Sequence, residues 1–200
     1  MNDSEVIALT ERLALRRWRE SDLEPFFRIN SDSRVMEFLP ETLTREKSDE
    51  LARRIASHFE KHGFGLCAAE LRTNKKFIGY VGLAVPSFET RFTPCVEIGW
   101  RLDANCWARG LATEAARRIV RYAFGPLGLK ELVSFTSPAN VRSRRVMEKT
   151  GMRRDPADDF DHPNLPAGNP LRRQVLYRLS RVDWEAMECS KSEDQAARGT

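Results

Sequence analysis

Between Val96 and Phe124 the apolar residues change their spacing from every second position to every third or fourth, and this switch constrains the fold more than any other feature of the chain. Val96, Ile98, Trp100 and Leu102 alternate with Glu97, Gly99 and Arg101, as on a strand with two unlike faces. Leu111, Ala115, Ile119 and Ala123 then share one helical face, widened by Ala112, Ala116 and Val120 and stopped by Gly125, Pro126 and Gly128. A strand must therefore pass through a tight turn into an amphipathic helix. The first N–H groups of that helix have no intrahelical partners, and the helix dipole adds roughly half a positive charge there, which together make a site for phosphate oxygens. Gly110 lets a ligand approach the backbone, and Ala112 keeps side-chain bulk away. A plain strand-to-helix turn with a packing glycine is the other reading of the same residues.

The remaining patterns extend an α/β (α+β) plan. Arg12 to Trp18 alternates as a first strand, and Ser21 or Asp22 can cap a helix whose stripe is Leu23, Phe26 and Phe27. Thr44 to His62 reads as one amphipathic helix with Leu51, Ile55 and Phe59 on one face and Gly63 as its left-handed stop. Phe64 to Leu71, Lys76 to Val85 and Pro94 to Leu102 form an antiparallel meander separated by turn formers. Leu132 to Thr136 is a fifth strand, Ser137 and Pro138 can open a helix that ends at Lys149 before Gly151, and Val175 to Leu179 is a late strand. Asp155 to Pro170, with Pro156, Pro163, Pro166 and Pro170 and no period, is a functional or mobile loop.

With 200 residues, 41% hydrophobic and 31% charged, the chain suits one globular domain and excludes fibrous, collagen-like and wholly disordered classes. A net charge of +4 favours anionic ligands, phosphorylated cofactors or nucleic acid alike. Arg142, Arg144 and Arg145 cluster, but acidic residues are interspersed throughout and no nucleic-acid-binding motif is present. Cys67, Cys95, Cys106 and Cys189 make no C-x-x-C pair, so reduced thiols are expected rather than a zinc site or a disulfide framework. The first residues lack a basic start and an apolar run, and no segment is apolar enough to span a membrane, so a cytoplasmic location is expected.

Trp107-Ala108-Arg109-Gly110-Leu111-Ala112-Thr113-Glu114-Ala115 resembles motif A of the GNAT acyltransferases in the W-x-x-G-x-A-T-E-A form of the RimJ/RimL-like branch, with Trp107 where the family usually has Gln or Arg. Asn140 to Met152 is similar to motif B, N-x-x-S/A-x-x-V/L-x-E-K-L-G-F, with Met152 in place of Phe. Phe77 to Leu83 resembles the third strand of the family and Arg12 to Val35 its N-terminal strand and helices, so the likeness spans about residues 10 to 185. It implies a domain over residues 11–186, an N-terminal extension over 1–10 and a disordered tail over 187–200.

The resemblance implies a mixed, mostly antiparallel sheet of about seven strands with about four helices, splayed between its fourth and fifth strands around acetyl-CoA. Arg109, Gly110, Leu111, Ala112 and Thr113 would then offer pyrophosphate-binding amides, Asn140 would bond the pantetheine arm, and Arg109, Arg142 or Arg145 could meet CoA phosphates or remain solvated. No metal is expected. His58 and His62 lie one turn apart in H-F-E-K-H, not H-E-x-x-H, and lack a third ligand.

Amine acylation needs a neutral amine, and Glu97, facing the same way as Gly99 and Arg101, is the candidate proton acceptor; a structural carboxylate paired with an arginine is the alternative. Many family members place a Tyr where this chain has Met147, so Ser143 is the candidate partner for the leaving thiolate, against a role in bonding nearby backbone. His162 borders the acceptor site or is solvent-exposed, and Cys106 is a small half-buried thiol or one activated by the following helix. The acceptor implied by the branch is a protein N-terminal amine, while similar proteins modify small amines and antibiotics. A non-catalytic acyl-CoA-binding or partner-binding module is the alternative. Whether the chain is a monomer or a homodimer is not legible.

Overall fold

The computed structural model describes residues 6–198, with side-chain surroundings through residue 190. The N-terminal segment pairs β1 (Val6–Leu9) with β2 (Leu13–Arg16) as an antiparallel hairpin, so residues expected as an extension carry a strand ahead of the expected first one. Residues 1–5 of that extension, and 199–200 of the expected tail, lie outside the described residues. A 3-10 turn at Glu20–Asp22 leads into α1 (Leu23–Ser31), followed by α2 (Ser33–Met36) and α3 (Arg45–His62).

The start of α1 corrects the expectation of a side-chain cap at Asp22. Its carboxylate instead takes a bidentate pair of bonds from buried Arg16 at 2.7 and 2.8 Å, and accepts the Arg19 N–H at 2.8 Å. Arg16 also binds Glu70 at 2.8 Å, and a buried guanidinium needs this full complement of acceptors. The α3 boundaries follow local chemistry. Thr44 accepts the Lys47 N–H, and Gly63 closes the helix at φ 73°.

The meander is β3 (Leu66–Leu71), β4 (Phe77–Ala84) and β5 (Glu97–Leu102), and α4 (Leu111–Phe124) follows β5. Then come β6 (Glu131–Thr136), α5 (Val141–Lys149), β7 (Arg153–Arg154), β8 (Phe160–Asp161), β9 (Arg173–Ser180) and α6 (Arg181–Arg198). Among the described residues nine strands run in the order β1-β2-β3-β4-β5-β6-β9-β7, with β8 also on β9. The strands without a counterpart in the sequence pattern are β1 and the two-residue β7 and β8, the last two too short to leave a periodic signal.

Only β5 and β6 run parallel, and they share a single registered pair, Glu97 with Val133. Beyond it they diverge, so the sheet is splayed. On one face Ile98 and Leu102 join Leu111, Ala115 and Ile119 of α4 in the main core. The opposite face carries Tyr80, against which Phe26 of α1 packs at 6.0 Å between ring centroids.

The polar composition of residues 187–200 suggests a disordered tail, yet α6 is helical through Arg198. Ser180 accepts the Asp183 N–H at 3.1 Å, Arg181 pairs with Glu185 one turn on, and Trp184 and Met187 pack against the core. Tertiary anchoring at the first turns outweighs the weak intrinsic signal.

Candidate active site

The side chains of Trp107 and Arg12 hold the junction from β5 to α4. Trp107 donates its indole N–H to the Leu102 carbonyl at 2.9 Å, and the backbone then turns through two left-handed residues, Ala108 at φ 57° and Gly110 at φ 77°. The alanine carries a cost of about 1 kcal/mol in that conformation, sustained by the surrounding bonds. One of them is the Arg12 guanidinium, which donates to the Arg109 carbonyl at 2.8 Å and pairs with Glu114 at 2.6 Å.

Gly110 is the N-cap of α4 and offers no side chain. The first helical bond runs from the Glu114 N–H to the Gly110 carbonyl at 3.0 Å, so the N–H groups of Leu111, Ala112 and Thr113 precede it and are free for an anion. Burial opposes ionisation of Glu114, but hydrogen bonds from Thr10 and Arg12 and the Arg12 charge outweigh it and hold the carboxyl below its ordinary value. With that charge compensated, the acid does not repel phosphate. A Cβ built on Gly110 meets only Arg12 Nη2, at 3.5 Å, which leaves the space above the turn to a ligand. The Arg109 side chain is exposed.

Across the splay stands the start of α5. Asn140, not Ser137, is its cap: Oδ1 accepts the Ser143 N–H at 3.1 Å, and Nδ2 donates to Thr136 Oγ1 at 3.0 Å. This corrects the expected helix start and leaves one Nδ2 hydrogen for a ligand. No partner for Ser143 Oγ is present among the described residues, so the hydroxyl is not consumed by nearby backbone, and Met147 one turn on is buried in the core. Arg145 is exposed. Arg142 ties the two walls together. Its guanidinium lies 4.5 Å over the Trp107 ring and 2.5 Å from Glu37, just after α2.

The floor between these walls is β5. The Val96 carbonyl accepts the Val133 N–H at 3.0 Å and the parallel pair of Glu97 with Val133 engages the Ile98 N–H, so by strand alternation the Ile98 carbonyl and the peptide groups of Trp100 point toward the gap. Those of Leu102 do too, its carbonyl being held by Trp107. Open strand edge of this kind suits a ligand that carries amide groups of its own.

Glu97 begins that floor. Its carboxyl is half-buried, makes no hydrogen bond or ion pair among the described residues, and lies with Oε1 3.7 Å from the position of a Cβ on Gly99. Desolvation pushes its pKa up to about 8. The alternative of an arginine-paired structural carboxylate therefore finds no support in the contacts.

Beside Glu97, on the face shared with Val133, Phe88, Phe92, Phe135 and Phe160 form a second cluster. His162 packs into it, 4.7 Å from the Phe88 ring, and burial lowers its pKa. It is half-buried rather than solvent-exposed, because the loop from 155 to 170 folds over these rings. His58 is structural: Nδ1 bonds the Phe64 carbonyl at 2.9 Å and Nε2 accepts the Val85 N–H at 3.0 Å. Among the described residues no group of three or more His, Cys, Asp or Glu is arranged to hold a metal ion. Burial pushes the Cys106 thiol up, opposite to an activated thiol.

Two clefts are open on the surface. One of about 370 Å³ is lined by Ser33, Arg34, Glu37, Trp107 and Arg142, at the mouth of the splay. The other, of about 340 Å³, lies by Arg154, Asp158 and Arg178. Neither is lined by Glu97 or Ser143.

Several site residues left no sequence signal. Arg12 lies 102 positions from Glu114, the Arg142 and Trp107 stack joins two separate motifs, and the aromatic cluster draws on three segments.

Residues 12–153 match the family model described as an acetyltransferase (GNAT) domain. The chain is 29% identical over 175 residues to the uncharacterized N-acetyltransferase YnaD of Bacillus subtilis (strain 168), covering 88% of this chain and 97% of that protein. Among solved structures, a GNAT-family acetyltransferase from Bacillus anthracis superposes with a TM-score of 0.72 at 26% identity, over 87% of this chain and 98% of that one. The ribosomal α-N-protein acetyltransferase RimL, solved in complex with coenzyme A, shares the fold at a TM-score of 0.71 and 12% identity, over 88% and 98% of the two chains.

Proposed function

Because this chain belongs to the GNAT acetyltransferase family, we propose that it moves the acetyl group of acetyl-CoA to a primary amine, by direct attack of the amine in a ternary complex. The observation that carries this reading is the placement of an unpaired, elevated-pKa carboxyl at the apex of a splay whose outer end is the free first turn of α4.

Acetyl-CoA supplies a thioester activated toward acyl transfer. The N–H groups of Leu111, Ala112 and Thr113 bind its pyrophosphate, helped by the α4 dipole, while the carbonyl of Arg109 is held back by Arg12. The gap-facing Ile98 carbonyl and Trp100 peptide groups align the pantetheine arm, and the remaining Nδ2 hydrogen of Asn140 meets it from the other wall. Arg142 and Arg145 lie on the α5 side of the mouth, where a phosphate can exchange with Glu37 as the partner of Arg142.

Glu97 takes the proton of the incoming amine, directly or through one water. An α-amino group titrates near pH 8, and the Glu97 carboxyl at about 8 is matched to it, which is the condition for efficient proton transfer. Ser143 Oγ, free of protein partners, donates to the departing sulfur.

The acceptor is a protein N-terminal amine or a small amine, in the manner of the RimJ/RimL-like branch, and the site of action is the cytoplasm. The fold shared with RimL and the motif form from Trp107 to Ala115 support this narrower reading. A thiol-release assay with acetyl-CoA against N-terminal peptides, polyamines, aminoglycosides and amino acids, with mass spectrometry of the product, tests it. A product heavier by one acetyl group is expected. Acetyl-CoA binding without any product would replace it with a non-catalytic acyl-CoA-binding module.

A further inference from the structure

Arg101 stands on β5 four residues from Glu97, on the same face, with only Gly99 between them. Its guanidinium stacks at 5.5 Å over Tyr80, its cross-strand neighbour, and Nη1 donates to Asn30 Oδ1 at 2.6 Å. Asn30 is itself fixed: it is fully buried, Nδ2 donates to Ser48 Oγ at 2.9 Å and its carbonyl accepts the Leu43 N–H at 2.9 Å. The arginine is thus held rigidly by α1 and α3.

What it lacks is a counter-charge. No carboxylate pairs with Arg101 among the described residues, and Nε is buried with no hydrogen-bond acceptor. Nη2 has no partner among the described residues either and, unlike Nε, is not buried, so it is the donor left for a ligand. Nη2 shares the delocalised guanidinium charge and carries two N–H donors, which suits a carboxylate oxygen as its acceptor. A partly desolvated cation without an anion is costly, and a built site of this kind is completed by what it binds.

The anion is not the pyrophosphate of acetyl-CoA. The α4 cradle belongs to the layer packed on the Ile98 and Leu102 side of β5, whereas Arg101 projects from the other face. On its own face the neighbouring ionisable group is Glu97, also unpaired. Two uncompensated groups of opposite type, divided by a residue without a side chain, form a bipartite site.

We propose, building on the acetyltransferase reading, that the acceptor is an amino compound that also bears a carboxylate, with the carboxylate on Nη2 of Arg101 and the amine toward Glu97. Residues four apart on a strand have Cα atoms ~13 Å apart, so the spacing of the two ends of the acceptor is itself selected.

The test compares each acid with its own amide: glycine, β-alanine, 4-aminobutyrate, 6-aminohexanoate and glycylglycine, each against its amide, by thiol release from acetyl-CoA. At the preferred length the acid-to-amide ratio of kcat/KM should fall by roughly tenfold to a hundredfold in Arg101→Gln relative to the unsubstituted protein, as expected for one charge-assisted hydrogen bond. Taking the ratio between proteins cancels the differing amine pKa values. The KM for acetyl-CoA and kcat/KM for the amides should stay unchanged within about twofold. Asn30→Asp, which leaves Arg101 in place but neutralises it, should lower the same ratio.

An unchanged ratio in both variants, or an equal loss for acids and amides, would overturn the proposal. Calorimetric titration of the acids into the CoA-saturated protein separates it from the broader reading. Arg101-dependent binding without turnover of any amine would defeat acetyl transfer and uphold the carboxylate site, and turnover of amides and acids alike would do the reverse.

Discussion

Glu97 meets Val133 at the one point where β5 and β6 stay in register, so its carboxyl marks the apex from which the sheet opens. Everything assigned to the site is placed relative to that pair. The α4 cradle lies at the far end of β5, α5 follows β6, and the aromatic cluster shares the Val133 face. The separation of strands thus generates the cleft, and the residues along its edges need only be small or free of partners.

The cradle predicts that Gly110→Asp abolishes acetyl-CoA binding, because a carboxylate and a Cβ would sit against the pyrophosphate. The fold should survive, since an added Cβ meets nothing closer than Arg12 Nη2 at 3.5 Å and Asp tolerates the left-handed conformation better than most residues. Calorimetry with acetyl-CoA, alongside a melting curve, checks both halves. Undiminished affinity in a folded variant would move the cradle elsewhere.

Ser143 predicts a selective kinetic defect. Ser143→Ala should lower kcat by about tenfold to a hundredfold with little change in acetyl-CoA affinity. Met147, buried one turn away, offers no proton to replace it. If kcat is unaltered while chemistry is rate-limiting, the serine serves only the start of α5.

The raised pKa of Glu97 has a consequence for stability. The folded chain holds this proton more tightly than the unfolded chain, whose carboxyl titrates near 4.5, so the stability tied to the neutral form is complete below about pH 4.5 and is lost as the pH rises through about 8. Glu97→Gln, which never ionises, should melt close to the unsubstituted protein at low pH and progressively above it between pH ~5 and ~9. A difference in melting temperature independent of pH would remove the burial argument.

Much of this was legible in the sequence wherever the cause is local. Thr44 and Gly63 bound α3 because a cap and a left-handed stop act within one turn, and the alternation from Val96 to Leu102 places Glu97, Gly99 and Arg101 on one face. The splay came from the motif resemblance, not from periodicity. What was not legible depends on distant partners. Arg16 draws Asp22 away from capping, Arg12 reaches Glu114 from 102 positions away, and Asn30 fixes Arg101 across 71. The strand β1 is four residues long and exists because β2 pairs with it, and α6 persists because Trp184 and Met187 are anchored.

The most direct test of the account is the pH dependence of kcat/KM for the unsubstituted protein and Glu97→Gln, with acetyl-CoA and an amine found by thiol release, and with the acetylated product weighed. Activity of the unsubstituted protein should climb through a limb near pH 8, where Glu97 ionises. The variant should lose roughly 10²-fold to 10⁴-fold near neutral pH, the usual contribution of a positioned base, and keep only the rise set by the amine's own pKa. Part of the loss should return at high pH, because more of the amine is then already neutral, and acetyl-CoA affinity should not move. Full activity of Glu97→Gln across the pH range would contradict the account, leaving the enzyme to capture neutral amine from solution and Glu97 without a part in proton transfer.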